Sequence, residues 1–513
     1  MPRRLFRLHT VPGRIRTLTA CAVLAIAALF AVSAVALWQA REGLRAVGGV
    51  DGRTVIATAD LYAALTDMDR QVTDVLLTGQ ERGWLCDGEA AEQTEAAEQV
   101  GDNGDNGESG EGGQSAAASP GGGVCDRAAA RVLYEIRREA AQQAALAAAR
   151  MADGDPVRLT TVRAVLEGLH EYDQRVQAAM ELGRRADHPF GMPPPEAVAR
   201  YRFATALMTE ELLPGAYNLT MDGQTRVHTT YEQRRDATRA GLVLVTVAGG
   251  ITIAILLALQ IYLGVRFRRV LNPYLVVATL GMIALTLAGA SLLSSEARQL
   301  RVAKVGGFDQ VLTLARAHAV GTNMDADRGR ALLDPGNADR YDQMYLDKAK
   351  SLLYLPVTNL AGYDAGLDGR LDRYDGEAHG ADFGGFYGAA ARTIEVRANG
   401  AVAEREHLAA LLTRYGTYQR VDRRVRALAA AGRRTAAARA HMDPATSTLP
   451  HPEFRAHDDR LTTLIARHQY LTDRTVRDGE RAMTTWTWLL PAACLAIASL
   501  VVAGVRPRLA EYR

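Results

Sequence analysis

The chain has few cysteines, few lysines and almost no net charge. Among 513 residues there are 4 cysteines, and 60 Lys and Arg residues nearly balance 58 Asp and Glu residues, which leaves a formal charge of +2. Lysine occurs only at Lys304, Lys348 and Lys350, so arginine supplies almost all the positive charge. A balance so close to neutral argues against a nucleic-acid partner and against an acidic substrate.

Motifs of catalysis and cofactor binding are also missing. The sequence contains no nucleotide-binding glycine loop, no G-x-S-x-G and no regular zinc-binding spacing. His441, His451, His457 and Asp458 cluster around a loop and could bind a metal, but their spacing is irregular, so we favour a solvated loop. We therefore predict neither an enzyme nor a metal or cofactor site.

Long apolar runs, in contrast, are abundant. Each of four runs is long enough to cross a hydrocarbon layer of about 30 Å as a helix. None of them contains Asp, Glu, Lys, Arg or His, which disfavours a transporter or channel because transport pathways usually need ionisable groups at membrane depth. The predicted transmembrane helices are 17–38, 240–265, 274–294 and 485–505.

Arginines beside these runs predict the orientation of the chain. The three short segments next to the runs are basic, and basic flanks stay in the cytoplasm. These segments are 1–16, 266–273 and 506–513. We expect a plasma-membrane protein with both termini inside the cell and with 39–239 and 295–484 outside. Arg266, Arg268 and Arg269 in the central loop are then candidates for contact with a cytoplasmic partner.

Both outer regions show helical periodicity. Apolar residues in the first region recur at alternating spacings of four and three, which marks one buried stripe on a helix. They are Leu61, Leu65, Met68, Val72 and Val75. A similar stripe follows the third run. We predict an all-α protein in which 39–239 and 295–484 each form a four-helix bundle, the first and last helices being continuous with transmembrane helices.

Residues 87–124 differ in composition from the rest of the first outer region. They are acidic, rich in glycine and almost without apolar residues, so we predict that they are disordered. Cys86 and Cys125 flank this insert and are the only cysteines away from an apolar run. Since thiols outside the membrane oxidise, we predict a disulfide between them, with two unpaired thiols as the alternative.

The two outer regions share a short motif. Thr66-Asp67-Met68-Asp69 matches Thr322-Asn323-Met324-Asp325, which follows 256 residues later, and the same offset carries the first apolar run onto the third. This coincidence predicts an internal duplication. Each aspartate borders the apolar stripe of its helix, so the motif is a candidate polar layer that either fixes the register of the helices or responds to a ligand. Its members are Thr66, Asp67, Asp69, Thr322, Asn323 and Asp325.

A connection rich in Gly, Asp and Tyr, roughly 361–388, carries several aromatic residues. Exposed aromatic side chains on a flexible loop favour binding, so this connection is the best candidate for a partner surface, although ordinary packing of a loop is the interpretation that we prefer. The aromatic residues are Tyr363, Tyr374, Phe383, Phe386 and Tyr387.

Three segments of the chain resemble a known family. LYAALTDMDRQVTDVLLTG, YRFATALMTEELLPGA and NMDADRGRALLDPGNADRYDQMYLDKAKSLL are similar to actinobacterial multi-pass membrane signal transducers of the GlnX type. The order of span, four-helix bundle and span resembles the ligand-binding region of bacterial chemoreceptors. The resemblance implies two partners, a glutamate- and aspartate-binding lipoprotein outside and the Ser/Thr protein kinase G inside.

Together these features predict a sensor that relays amino-acid availability across the membrane. Membrane lipid surrounds its four helices, and a homodimer is one assembly that the chemoreceptor resemblance allows. A structural adaptor of the cell envelope, or an accessory subunit of a transporter, is the alternative function.

Overall fold

The computed structural model describes most of the chain outside the acidic insert. The described residues are 11–48, 50–79, 127–152, 155–186, 188–267, 272–374, 383–395, 401–442 and 451–510. Cys86, Cys125, Arg268, Arg269 and the insert 87–124 lie outside these residues, so the predictions about them stay predictions. Among the described cysteines, Cys21 and Cys494 are free.

Nearly all the described residues are helical, which confirms the all-α fold class. In the described part of the chain the isolated bridge between Tyr354 and Gly384 is the only β-type pairing. The helices are α1 (Val11–Gly48), α2 (Val50–Leu77), α3 (Arg127–Met151), α4 (Pro156–Ala186), α5 (Pro195–Leu207), α6 (Leu213–Phe267), α7 (Pro273–Arg301), α8 (Asp309–Leu333), α9 (Ala338–Leu352), α10 (Leu360–Leu371), α11 (Gly385–Glu395), α12 (Ala401–Ala430), α13 (Arg434–Met442) and α14 (Pro452–Ala510). Two π-helical segments, Met208–Leu212 and Val302–Phe308, join α5 to α6 and α7 to α8.

Among the described residues, four helical segments are long and apolar enough to cross a membrane. Each contains one of the predicted transmembrane runs, which indicates a membrane protein. The segments are Gly13–Gly43, Pro195–Val265, Pro273–Leu333 and Pro452–Pro507. Arg266 lies one residue before the end of α6.

The chain divides into two compact units. The span unit comprises Met1–Arg53, Gln224–Phe308 and Gln469–Arg513. The helical unit comprises Thr54–Gly223 and Asp309–His468, so it combines residues from both predicted outer regions. We call Thr54–Gly223 its first half and Asp309–His468 its second half.

The two halves of the helical unit share a hydrophobic core. The main cluster of buried side chains contains Leu65, Met68 and Val72 from the stripe on α2. The same cluster includes buried residues from the second half, which therefore covers apolar surface that the first half leaves open. They are Leu332, Leu333, Val425, Ala437, Ala438 and Met442.

The connection 361–388 is largely helical in its described part. Asn359 caps α10, since its side chain accepts a hydrogen bond of 2.7 Å from the backbone N–H of Gly362. Leu360, Tyr363 and Leu367 are buried, at the three- and four-residue spacings of one helical face. The residues Leu360–Leu371 therefore form a helix and not a flexible loop.

The aromatic residues of this connection belong to the core of the second half. The Tyr363 hydroxyl donates to the Leu353 carbonyl at 3.0 Å and also lies 2.9 Å from the Tyr415 hydroxyl. Tyr387 is fully buried, and Tyr374 stacks on the buried Phe383 at 5.3 Å between ring centroids.

Phe386, the remaining aromatic residue, is partly buried against the same core. Ordinary packing, the interpretation that we prefer from the sequence, therefore describes these side chains, and a partner role for them stays a prediction.

α2 and α8 approach closely at one pair of residues. A Cβ atom added to Gly329 would lie only 2.3 Å from the Thr73 hydroxyl oxygen and 2.8 Å from its Cβ. The positions of Thr73 and Gly329 differ by the same 256 residues as the two motifs. Equivalent positions of the two halves thus meet each other, which favours the predicted duplication.

This contact predicts a size-dependent stability effect. Gly329→Ala should lower the free energy of unfolding by about 1–3 kcal/mol, because overpacking forces buried helices apart. Adding Thr73→Gly to this variant should recover part of the loss, since it removes the clashing side chain. Gly321→Ala is a matched control on α8, because its Cβ would meet no atom closer than 3.8 Å. Thermal unfolding in detergent measures all four proteins, and equal effects of the two alanines would contradict the close approach.

Candidate functional site

The repeated motif lies inside the helical unit, where it forms two neighbouring groups of buried polar side chains. Asp69 on α2 and Asp325 on α8 are both 0% exposed. We call the group around Asp69 the arginine cluster; its members are Asp69, Tyr172, Tyr201, Asp327 and Arg330. We call the group around Asp325 the histidine cluster; its members are Asp74, Asp325, Tyr418, His441 and His451.

Arg330 is the centre of the arginine cluster, and no part of its side chain is exposed. Its guanidinium donates to Asp69 of the first half through both Nε, at 3.1 Å, and Nη2, while Nη1 donates to Asp327. The other oxygen of Asp69 accepts a hydrogen bond of 2.5 Å from the Tyr172 hydroxyl, and Tyr201 donates to the same carboxylate at 3.3 Å. Side chains from three helices, α4, α5 and α8, therefore donate hydrogen bonds to the Asp69 carboxylate.

The charges of the arginine cluster are balanced. Asp327 also pairs with Lys348, so two carboxylates face two cations. Burial disfavours the charged guanidinium, but Asp69 and Asp327 outweigh that cost and hold the pKa of Arg330 well above its usual value. Removal of Asp69, Asp327 or Arg330 would leave an uncompensated buried charge, which is far more costly than loss of an exposed ion pair.

In the histidine cluster, one imidazole lies between two carboxylates. His451 Nε2 is 2.9 Å from Asp74 Oδ1, and His451 Nδ1 is 3.4 Å from Asp325 Oδ2. Tyr418 donates a hydrogen bond of 3.2 Å to the other oxygen of Asp325. The ring of His441 stands edge to face against His451, with 4.3 Å between ring centroids.

Burial controls the protonation of this cluster. It lowers the pKa of His451 to about 3 and that of His441 well below its usual value, so both imidazoles are neutral at physiological pH. Burial also raises the pKa of Asp74, to about 6, and the pKa of Asp325. Within the cluster the two acids therefore face neutral imidazoles, while Asp74 also pairs with Arg70 at 3.6 Å.

The two clusters occupy related positions. Asp69 pairs with Arg330, and Asp325 shares His451 with Asp74. Positions 69 and 325 differ by 256, and so do positions 74 and 330. If the halves were exchanged, Asp325 would correspond to Asp69, and position 74 would correspond to position 330. Position 74 is an aspartate, however, where position 330 is an arginine. His451 lies between the two carboxylates and contacts both.

The other motif residues support these clusters locally. The hydroxyls of Thr66 and Thr322 donate to backbone carbonyls one turn earlier, at 2.7 and 3.0 Å. Asp67 forms ion pairs with Arg70 and Arg137. Burial opposes ionisation of the Asp67 carboxyl, but the two arginines outweigh this effect and lower its pKa to about 2.

Asn323 accepts a hydrogen bond of 3.3 Å from Arg330. The structure therefore brings the six motif residues to one region of the helical unit, although a response to a ligand stays a prediction.

A cavity of about 390 Å³ adjoins the histidine cluster. Asp325, His441 and His451 form part of its wall, and Arg424 and Arg433 lie on it as well. Its volume is in the range of pockets that hold small molecules. The histidine cluster is thus a buried polar group with access to a small-molecule-sized space.

Three histidines that the sequence placed in a solvated loop are buried instead. His441 and His451 belong to the histidine cluster. His457 Nε2 lies 2.6 Å from the Tyr387 hydroxyl in the core of the second half. Asp458 pairs with His318 on α8 at 3.1 Å. The interpretation of these histidines as a solvated loop is wrong, because α13 and the start of α14 return to the interior of the unit.

Sequence reasoning missed Asp74 and Arg330, the two members that carry the contact between the halves. Both lie five residues after a motif aspartate, in a part of the helix where nearly every side chain is buried. A helical stripe shows which face is apolar, but it does not show that a charged residue on that helix has a buried partner elsewhere in the chain. The offset of 256 residues relates positions 74 and 330, but it does not show what either side chain contacts.

Three members of the histidine cluster have the composition of a metal site. Asp325, His441 and His451 each offer one ligand atom, and these atoms all lie within 4.8 Å of one another. Two imidazoles and one carboxylate are ligands typical of zinc and related divalent ions.

Comparison with known proteins supports a sensor. Residues 114–232 match the family model of an actinobacterial sensor domain. The match includes α3, α4 and α5 and extends into α6. No curated protein and no solved structure matches the chain. The matched residues include Tyr172 and Tyr201, which bind Asp69 in the arginine cluster.

The arginine cluster predicts a strong, non-additive stability effect. Arg330→Met should lower the free energy of unfolding by about 3–5 kcal/mol, because it leaves two buried carboxylates facing one lysine. Combining it with Asp69→Asn should restore part of this loss. Arg184→Met, at an exposed pair with Glu181, is the control and should have little effect. Denaturant unfolding of the purified protein measures the series, and additive losses would contradict a coupled cluster.

The pair of His318 and Asp458 predicts a pH-dependent stability. Burial alone would lower the pKa of His318, but Asp458, together with Asp67 and Asp60, raises it to about 9. The stabilisation is therefore complete below the unfolded pKa of about 6.5 and is lost as the pH rises through about 9. Both side chains are about a quarter exposed, at 25% and 26%, so we expect about 2 kcal/mol after screening by water.

The measurement compares wild type with His318→Gln. The difference between their free energies of unfolding should be present at pH 6 and should disappear by pH 10. A difference of constant size across this range would show that the pair is not ionic.

Proposed function

We propose that this protein is a membrane sensor that transmits a signal from its helical unit to its transmembrane helices. The observation that carries this proposal is the match of residues 114–232 to an actinobacterial sensor domain. The matched segment ends within α6, and α6 also contains the apolar run 240–265 of the membrane-span candidate Pro195–Val265. The last residues of the matched segment are therefore part of the same helix as a predicted transmembrane segment.

Continuous helices supply the physical route for the signal. α6 and α14 each include residues of the helical unit and a membrane-span candidate. A ligand or loaded partner that binds one arrangement of the helices more tightly than another shifts the population toward that arrangement. Displacement or rotation of a continuous helix would then carry the change to its other end.

The amino-acid signal and the partners follow from the resemblance to the GlnX-type transducers. On that basis the ligand is glutamate or aspartate, delivered by a solute-binding lipoprotein outside the cell. The receiver is a cytoplasmic Ser/Thr kinase, contacted through 1–16, 266–273 or 506–513. This orientation, with both termini inside, is supported by the arginines beside the apolar runs.

A structural adaptor of the cell envelope, or an accessory subunit of a transporter, is the second candidate. The fully buried and balanced arginine cluster supports it, because a fixed contact between two halves suits a rigid scaffold. Affinity capture from native membranes separates the two functions. Recovery of a solute-binding lipoprotein or a kinase supports sensing, and recovery of a permease or wall components alone supports the adaptor.

A disulfide-trapping experiment tests helix displacement directly. Arg45 on α1 and Glu480 on α14 form an exposed ion pair of 3.6 Å in the span unit. Arg45→Cys with Glu480→Cys, in a protein whose native Cys21 and Cys494 are alanine, reports the approach of these two helices. We expect its crosslinking rate in membranes to change several-fold when amino-acid-loaded binding lipoprotein is added.

The control pair is Glu181→Cys with Arg185→Cys, one turn apart on α4. Its crosslinking rate should not respond, because the spacing within one helix is fixed. An unchanged rate for the α1–α14 pair with free glutamate, free aspartate and loaded lipoprotein would argue against signalling by helix displacement.

A further inference from the structure

We propose that Asp325, His441 and His451 bind a divalent transition-metal ion of the zinc type within the helical unit. The three side chains come from α8, from the end of α13 and from the residue before α14, and their ligand atoms lie within 4.8 Å of one another. This site replaces the expectation from the sequence that the chain has no metal site. It does not depend on the proposed signalling function.

Three buried polar atoms that lack a hydrogen-bond partner indicate this site. Among the described residues, Asp325 Oδ2, His441 Nε2 and His451 Nδ1 are buried and have no hydrogen-bond partner. A buried polar atom without a partner costs about 1–3 kcal/mol, so three of them in one place need an explanation. Asp325 Oδ2 and His451 Nδ1 face each other at 3.4 Å. A cation coordinated by all three atoms satisfies them together.

Asp74 prepares His451 for this role. Its carboxylate lies 2.9 Å from His451 Nε2, and that contact holds the proton on Nε2. The lone pair is then on Nδ1, the nitrogen that faces Asp325. A carboxylate that orients a metal-binding imidazole from its far side is a common feature of zinc sites. Tyr418 orients Asp325 in the same way by donating to its other oxygen.

The charges around the site also favour a divalent cation. Arg70 is the nearest cation on α2, and its guanidinium donates to Asp67 at 3.1 and 2.7 Å, while it is 3.6 Å from Asp74. Arg70 is thus shared between Asp67 and Asp74, while Asp325 Oδ2 faces the imidazole of His451 at 3.4 Å. A divalent ion would add positive charge beside Asp74 and Asp325.

The backbone at His451 is held in an uncommon conformation. Its φ is +58°, in the left-handed region, and the next residue is Pro452. A non-glycine residue rarely adopts this region, and it persists where the surroundings require it. Here the conformation turns the imidazole toward Asp325 and His441 immediately before α14 begins.

The coordination would be open on one side. Three protein ligands leave a fourth tetrahedral position, as in zinc sites that bind water or a small ligand. The cavity of about 390 Å³ adjoins all three ligands, so the fourth position faces it. Because the ligands belong to α8, α13 and the start of α14, the bound ion would fix these elements to one another.

Metal binding by the full-length protein tests the proposal. The protein is purified in detergent without a histidine tag, stripped with a chelator, and titrated with Zn²⁺ alone in a calorimeter. We expect one equivalent of Zn²⁺ to bind, and Co²⁺ in its place to give the visible absorption of a tetrahedral ion. His441→Gln and Asp325→Asn should each weaken binding by more than about 100-fold, and Asp74→Asn by about 10- to 100-fold.

His457→Gln is the matched control, since this buried histidine bonds Tyr387 and offers no atom to the group. It should bind Zn²⁺ as the wild type does. The helical circular dichroism of each variant shows whether it is folded. A folded wild-type protein that binds no stoichiometric Zn²⁺, or whose binding survives His441→Gln unchanged, would overturn the site.

Discussion

A fully buried guanidinium is the constraint on which the helical unit depends. Arg330 belongs to the second half, but it needs Asp69 of the first half, and Asp69 in turn is held by tyrosines of α4 and α5. Neither half can bury its share of this cluster alone without leaving a charge unpaired in a low dielectric. The same packing lets Leu332 and Leu333 enter the core of the first half. Polar and apolar contacts thus require the same pairing of α2 with α8.

Local periodicity made much of this fold predictable. The stripe on α2 and the four apolar runs depend on spacings within one helix, and both are found where the sequence puts them. At the start of the connection 361–388, the Asn359 cap and the helical spacing of Leu360, Tyr363 and Leu367 indicate α10, a helix that the glycine content of this segment obscures. The partners of Asp69 and Asp325 could not be predicted, because they lie far away in the sequence and periodicity carries no information about pairing.

The difference between the two clusters bears on function. In the arginine cluster, opposite charges and tyrosine hydroxyls satisfy one another, and the result is a fixed contact between the halves. In the histidine cluster, two acids and two neutral imidazoles leave acceptor atoms without donors beside a cavity. If the halves arose by duplication, positions 74 and 330 have since diverged to aspartate and arginine. The arginine cluster then holds the structural contact and the histidine cluster holds the binding contact. A sensor needs both, since a ligand can shift only an arrangement that is otherwise held.

Hydrogen–deuterium exchange tests the central claim, that the two halves of the helical unit are one cooperative structure pinned by Arg330. The measurement compares backbone protection of α2 and α8 in wild type and in Arg330→Met, both in lipid nanodiscs. Our account predicts similar protection of the two helices in wild type and a parallel loss in the variant, because segments that share a core open together. Loss of protection in α8 alone, with α2 unchanged, would contradict it and would show that the halves are independent.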